Sequence, residues 1–339
     1  MLTSIKSRSV LACMAGLLVA APLAAQTAPA QTPPATAPQA PGAYTWVTLG
    51  TMGGPMPRPG RNEPANLLMR KGEAHLIDTG DGAMTAMADA GADYPNLRTI
   101  WISHIHFDHL GGLFAVLGLR LQSRAVGPLT IYGPPGMKDI VNGLIAAMRP
   151  SARSGFGIPG EVAIDPAANI QVVELDDGAV VKLDGFTVRV ASNSHYSFVP
   201  GSPEEHFFRS LSYRFDMPDR SIIYTGDTGP SDKVTALAKG ADMLVTEMID
   251  LDNTLAQMNN RVRHISDEEK THMVEHLTRH HLSPGEIGAM AAKAGVGRVV
   301  VTHLAGGGSR SPDADQRYRA AIQQSFKGPV VIAKDMDRF

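Results

Sequence analysis

The sequence predicts an α/β fold, and three observations carry that prediction. Short apolar, β-branched runs alternate with segments of helical spacing. This alternation of strands, helices and short crossovers occurs twice along the chain. In each half, histidines and carboxylates gather where a strand ends. With 339 residues, 43% hydrophobic and 19% charged, the chain can bury a large core, and one α/β domain of this size is ordinary.

Residues 1–25 read as a secretory signal. Lys6 and Arg8 give a positive start, Val10 to Ala21 is apolar, and Leu23-Ala24-Ala25 offers small residues for cleavage, with Ala28-Pro29-Ala30 as an alternative cut. The apolar run is shorter than a membrane span of about 20 residues, so no span is expected after cleavage, and the expected location is periplasmic or secreted. Cys13 is the only cysteine and leaves with the signal. No disulfide or thiolate ligand remains. Residues 26–43 are rich in Pro, Ala, Gln and Thr, a composition that forms no core and reads as a disordered linker. A single folded domain is expected over 44–339.

The formal charge is −2, and loss of Lys6 and Arg8 leaves 29 basic and 33 acidic residues, a balance of −4. Phosphate-backbone binding normally needs a basic face, so no nucleic-acid partner is expected.

Tyr44 to Gly50 is the first strand. Ala65 to Arg70 and Ala74 to Ile77 pair across Lys71-Gly72-Glu73, and Asp78 ends the second; Gly82 to Ala90 is a helix. Leu97 to Ile102 is a buried strand that runs into Ser103-His104-Ile105-His106-Phe107-Asp108-His109-Leu110-Gly111-Gly112, the stretch on which the chemistry turns. In an extended segment alternate side chains point the same way, so His104 and His106 converge on one metal ion. Asp108 and His109, where the chain begins to coil, are free to face a second. Gly111 and Gly112 let the loop pack closely on the next element. Three imidazoles and a carboxylate within six residues suit zinc.

Leu113 to Leu121 is the helix that follows, Leu129 to Tyr132 a strand and Pro134 to Met148 a further helix. Arg149 to Pro166 breaks the pattern and is an insertion, either a lid near the substrate pocket or an inert loop. Ile170 to Leu175, Val180 to Leu183 and Phe186 to Ala191 are strands, the last leading to His195. Leu211 to Phe215 and Ser221 to Tyr224 form a hairpin leading to Asp227 between glycines. Ala241 to Thr246 is a strand ending at Glu247. Glu268 to Arg279 is a helix, and another starts at Ser283, where Ser283 and Glu286 fit a capping box with Pro284 at the first helical position. Arg298 to Thr302 is a strand ending at His303, and Gln316 to Phe326 and Val330 to Ala333 close the domain.

The residues His104, His106, Asp108 and His109 match H-x-H-x-D-H, and here the chain resembles the metallo-β-lactamase superfamily from about Tyr44 to Ala333. The resemblance implies a four-layer αβ/βα sandwich with a dinuclear site between the sheets. It assigns His104, His106 and His195 to one zinc, Asp108, His109 and His303 to the other, and Asp227 to a bridge; iron or manganese can occupy related sites. Asp78 matches the family's early aspartate, which holds the ligands from behind. In the family the Gly53 to Gly60 loop borders the site, although here it reads equally as a surface turn. A water shared by the ions, acidified to hydroxide, would attack the substrate, with Asp108 counted among the catalytic groups.

The downstream part resembles the ribonuclease Z and arylsulfatase-like branch. Val245-Thr246-Glu247 matches its acidic strand end, and His281-Leu282-Ser283 its helix start. Carried over, His281 donates a proton and orients a phosphoryl or sulfuryl oxygen, while Glu247 holds its ring. The chain departs from ribonuclease Z after the last ligand, where Ala305-Gly306-Gly307-Gly308 replaces the expected loop, and no Gly/Pro-rich arm flanked by basic residues is present. The expectation is therefore a secreted dinuclear zinc hydrolase of a small phosphoric or sulfuric ester. A β-lactamase or lactonase is the alternative enzyme, and a non-catalytic metal- or ligand-binding module the alternative of another class. The branch is often dimeric, so a homodimer fits it.

Overall fold

In the computed structural model, residues 44–261, 264–307 and 312–339 are described. The expected signal and linker lie outside them. Thirteen strands form among the described residues: β1 (Thr45–Gly50), β2 (Ala65–Arg70), β3 (Glu73–Ile77), β4 (Leu97–Trp101), β5 (Leu129–Gly133), β6 (Ile170–Glu174), β7 (Val180–Leu183), β8 (Phe186–Ser192), β9 (Leu211–Asp216), β10 (Ser221–Tyr224), β11 (Met243–Ile249), β12 (Val299–Ala305) and β13 (Val330–Ile332). The α-helices are α1 (Ala83–Asp89), α2 (Phe107–Leu110), α3 (Leu113–Gln122), α4 (Met137–Ser154), α5 (Pro203–Phe207), α6 (Asp232–Leu237), α7 (Leu251–Arg261), α8 (Asp267–Arg279), α9 (Pro284–Ala294) and α10 (Pro312–Ile322).

The strands make two sheets, β1-β2-β3-β4-β5-β6 and β13-β12-β11-β10-β9-β8-β7. Each is mixed: β3 to β6 and β10 to β13 run parallel, whereas β1 to β3 and β7 to β10 pair antiparallel. Parallel neighbours need crossovers, and helices supply them. The inner faces meet around Trp46, Trp101, Tyr213, Phe215 and Tyr224, all buried. The outer face of the first sheet packs on α1, α3 and α4, and that of the second on α6, α9 and α10. Helix, sheet, sheet and helix thus form the four expected layers. The carboxyl ends of β3, β4, β10 and β12 open on one rim, where crevices form in parallel sheets.

Three readings change. Arg149 to Pro166 is not loop throughout, because α4 continues across Pro150 to Ser154. Its remainder is tied to the end of α3, with Glu161 accepting from Arg124 at 2.8 Å, and it closes an apolar groove of about 400 Å³ lined by Phe114, Leu119, Met148 and Phe156. The last helix begins at Pro312 rather than Gln316. Helices α5, α6 and α7 were not expected: α5 and α6 have five and six residues, too few for a periodic signal.

Candidate metal centre

The polar loop after β4 is fixed from behind by Asp78. Its Oδ1 accepts from the Ser103 backbone N–H at 2.7 Å, and its Oδ2 accepts from Ser103 Oγ at 2.8 Å, Tyr224 OH at 2.7 Å and His109 Nδ1 at 2.8 Å. A carboxylate can only accept, so His109 carries its hydrogen on Nδ1 and presents Nε2 to the site. Gly112 has to lack a side chain, since a Cβ there would lie 2.5 Å from the Gly80 carbonyl oxygen. The Gly54 N–H donates to Asp108 Oδ2 at 3.2 Å, so the Gly53 to Gly60 loop does border the site.

The remaining groups arrive from the second sheet. His195 follows β8; its Nδ1 donates to the His280 carbonyl at 3.2 Å, leaving Nε2 3.1 Å from His106 Nδ1. Asp227 follows β10 after Gly226, whose φ of +58° suits glycine. His303 lies within β12, which runs on to Ala305, rather than after it. Here the pairing with β11 slips, with Thr246 opposite Val301 but Met248 opposite Leu304. The extra residue is a bulge, and His303 takes φ +35°. Bulges re-aim side chains, and this one accompanies the turn of an imidazole toward the rim.

Among the described residues three groups of side chains have ligand atoms within 4.8 Å of one another: His104, His106 and His195; Asp108, His109, Asp227 and His303; and His195, His276 and His281, which shares His195 with the first. The first two adjoin, with the rings of His104 and His109 4.1 Å apart. Asp227 faces two imidazoles, its Oδ1 3.4 Å from His109 Nε2 and its Oδ2 3.1 Å from His303 Nε2.

The residues fit divalent cations. His104 Nε2, His109 Nε2, Asp227 Oδ1 and both ring nitrogens of His303 are buried without a hydrogen-bond partner. Such groups are rare and cost roughly 1–3 kcal/mol each. Here they converge, and a cation satisfies them together. The electrostatics agree. Burial opposes protonation of His303, but Asp227 and contact with Asp108 outweigh it and push its pKa up to about 10. His109 is raised likewise against burial by Asp227, Asp108 and Asp78. The carboxylates therefore create a place for positive charge.

Beside this centre stands a second arrangement. Glu247 lies inside β11, and its Oε2 is 2.9 Å from His281 Nδ1, both side chains buried. The Thr228 N–H donates to Glu247 Oε1 at 2.9 Å, which ties this pair to the Asp227 loop. His281 is set by its neighbours: Ser283 caps α9 in a capping box, and the Ile249 N–H donates to the Leu282 carbonyl at 2.9 Å. The rings of His281 and His195 are 4.9 Å apart.

The β-lactamase superfamily domain model matches residues 75–304, more than half of the chain. The chain belongs to the metallo-β-lactamase superfamily. As a member it is a metal-dependent hydrolase. Among its relatives is a ribonuclease Z of Mycobacterium avium (strain 104), 30% identical over 86% of this chain and 96% of that protein. The metallo-β-lactamase fold protein YhfI from Bacillus subtilis superposes with a TM-score of 0.63 at 17% identity, over 87% of this chain and 98% of that one. The short form of human tRNase Z does so with a TM-score of 0.58 at 20% identity, with the same coverage. Both bear on the fold.

The ribonuclease Z relatives correct one expectation. A small-molecule ester partner and no nucleic acid were inferred from net acidity and from the missing arm, yet a relative covering nearly the whole chain bears a ribonuclease name. The physical fault lies in the charge argument. A formal balance of −2 counts the whole polypeptide and omits cations held at the site, where a phosphate would meet positive charge.

All nine site residues named from the sequence meet at this rim. Sequence reasoning gave no role to Tyr224, Thr228 and Glu63. Tyr224 and Thr228 flank the Asp227 motif. Glu63 is a buried acid whose pKa is raised to about 7 by burial and by Asp108; nothing in its neighbourhood in sequence marks it. His276, on α8, was also missed, although its ring is 5.1 Å from that of His195.

Proposed function

We propose that this metallohydrolase is a phosphodiesterase acting on RNA, with two zinc ions bound at the paired clusters. The observation that carries the reading is the position of a buried Glu–His pair beside two adjoining metal-ligand groups. Phosphodiester hydrolysis needs two things: a nucleophile made from water with relief of charge on phosphorus-bound oxygens, and a proton for the departing oxygen. Divalent cations held by the clusters supply Lewis acidity for the first. His104, His106 and His195 would hold one, and Asp108, His109 and His303 the other, with Asp227 shared.

The second requirement falls to His281. Burial would lower its pKa, but the charge of Glu247 outweighs burial and raises it, so the ring is kept as a proton donor. Nδ1 is committed to Glu247, which leaves Nε2 to face substrate and protonate the leaving oxygen. Glu247 fixes the ring plane, and Thr228 fixes Glu247. The relatives named ribonuclease Z favour an RNA chain as the carrier of that phosphodiester.

The test is cleavage of a 3′-extended transfer RNA precursor by the zinc- or manganese-loaded protein, with a DNA strand of equal sequence alongside. RNA cut at a defined site, and spared after chelation, is the expected result. RNA left intact at full metal occupancy overturns the reading. We further propose export by way of residues 1–25, for which fractionation of cells and amino-terminal sequencing of the mature chain are the test.

A further inference from the structure

A line of aromatic rings leads away from the metal-ligand clusters. Tyr196 follows His195 directly, and its ring centre is 5.4 Å from that of His106 and 5.5 Å from that of His195. Phe198 lies 5.0 Å beyond Tyr196, Phe208 5.8 Å beyond Phe198, and Phe207 5.0 Å beyond Phe208. These spacings are those of ring-to-ring contact. The outer end is open to solvent, with Phe207 49% and Val199 74% exposed, and on the metal loop itself Phe107 is 88% exposed. Tyr196, Phe198 and Phe208 are half-buried, so the line runs from half-buried rings beside the ligand clusters out to an exposed one, and an apolar strip of that kind marks a binding surface.

The loop that carries these rings is held in place. Tyr196 OH accepts from the Ile105 N–H at 3.3 Å, Ser202 caps α5, and Arg209 pairs with Asp176 at 3.0 Å. Charge then narrows the ligand. Glu204 and Glu205 stand on the same loop, and its cation, Arg209, is engaged. A surface of this kind offers little to a phosphate backbone and much to the uncharged face of a base.

We propose that Tyr196, Phe198, Phe208 and Phe207 form a stacking track for unpaired nucleobases, which holds a single-stranded segment of RNA next to the scissile phosphodiester. This rests on the RNA phosphodiesterase reading above. It also accounts for how a net acidic protein would retain RNA: stacking supplies what the missing basic face does not. Base stacking on aromatic side chains is sequence-tolerant, so the track selects for unpaired structure and not for a particular base.

The experiment uses the full metal-loaded chain and two RNAs that differ only in the nucleotides flanking the mapped cleavage site, one with bases and one abasic. The wild type is expected to favour the substrate with bases by about 10-fold in kcat/KM. In Phe198→Leu and Phe207→Leu that ratio should fall toward one. A 2-aminopurine placed at the flanking position should be quenched on binding to the wild type and less so on binding to the variants. The ratio compares two substrates on one protein, so partial loss of fold cancels. RNA cleaved with the same ratio in wild type and both variants overturns the track and leaves the ribonuclease reading standing. RNA not cleaved at all overturns both.

Discussion

Glu247 and His281 are 34 positions apart in the chain and 2.9 Å apart at their closest atoms, a buried carboxylate facing a buried imidazole beside the metal-ligand groups. Their environments oppose each other. Burial raises the Glu247 pKa and would lower that of His281, while each charge stabilises the other. The pair therefore depends on both members.

His281→Gln should lower kcat on RNA by about 100- to 10,000-fold, the range for loss of a positioned proton donor. Bound metal should be unchanged: His281 belongs to neither of the two groups assigned an ion, and in the third, with His195 and His276, its Nδ1 is already held by Glu247. Glu247→Gln should give a smaller loss and move the alkaline limb of the pH–rate profile to lower pH, because the raised pKa of His281 depends on the Glu247 charge. Metal analysis alongside steady-state kinetics checks both; loss of metal in His281→Gln would assign the residue to the metal centre instead.

Asp78→Ala removes the acceptor that holds His109 by its Nδ1 at 2.8 Å and Ser103 by its backbone. Partners of this type are worth about 10- to 100-fold in metal affinity. Competition titration with a chromogenic chelator should show a loss of that size, with the fold retained at high metal concentration.

Chelation should abolish activity and lower Tm together, since a cation bound only by the folded protein stabilises it by about 4 kcal/mol when present at 1,000 times its Kd. Asp227→Ala should reproduce the loss of activity, and metal added back should restore the chelated wild type only. Activity persisting in a metal-free protein would remove the basis for the centre.

His75 gives a pH dependence that owes nothing to the rim. It is buried in the first sheet, its Nδ1 2.8 Å from Thr99 Oγ1 and its ring packed edge-on against Phe186. Burial is the main cause that lowers its pKa from 6.5 to about 4. The folded state thus prefers the neutral ring. That preference contributes stability in full above pH 6.5, about 3 kcal/mol at most, and loses it as the pH falls from 6.5 to 4. Urea unfolding of metal-free protein at pH 7 and pH 5 should show a smaller difference in His75→Gln than in the wild type.

What could be read from the chain alone was whatever depends on neighbours in sequence. The H-x-H-x-D-H run, the aspartates after β3 and β10 and the Ser283–Glu286 box are local patterns, and local geometry determines what they do. The repeated alternation of strands and helices marked the α/β class, because period and length distinguish the elements, while the four layers came from the resemblance carried by the H-x-H-x-D-H run. Tertiary structure alone decided that Tyr224 donates to Asp78 across 146 positions, that a bulge in β12 turns His303 to the rim, and that the rings from Tyr196 to Phe207 touch. Those contacts depend on how two sheets and one long loop settle against each other, and no window of neighbouring residues holds that information. The expectation of no nucleic-acid partner, which the ribonuclease Z relatives oppose, went astray for a related reason: a sum over charges carries no positions, whereas the field that a phosphate meets is set by the few groups within a Debye length of it.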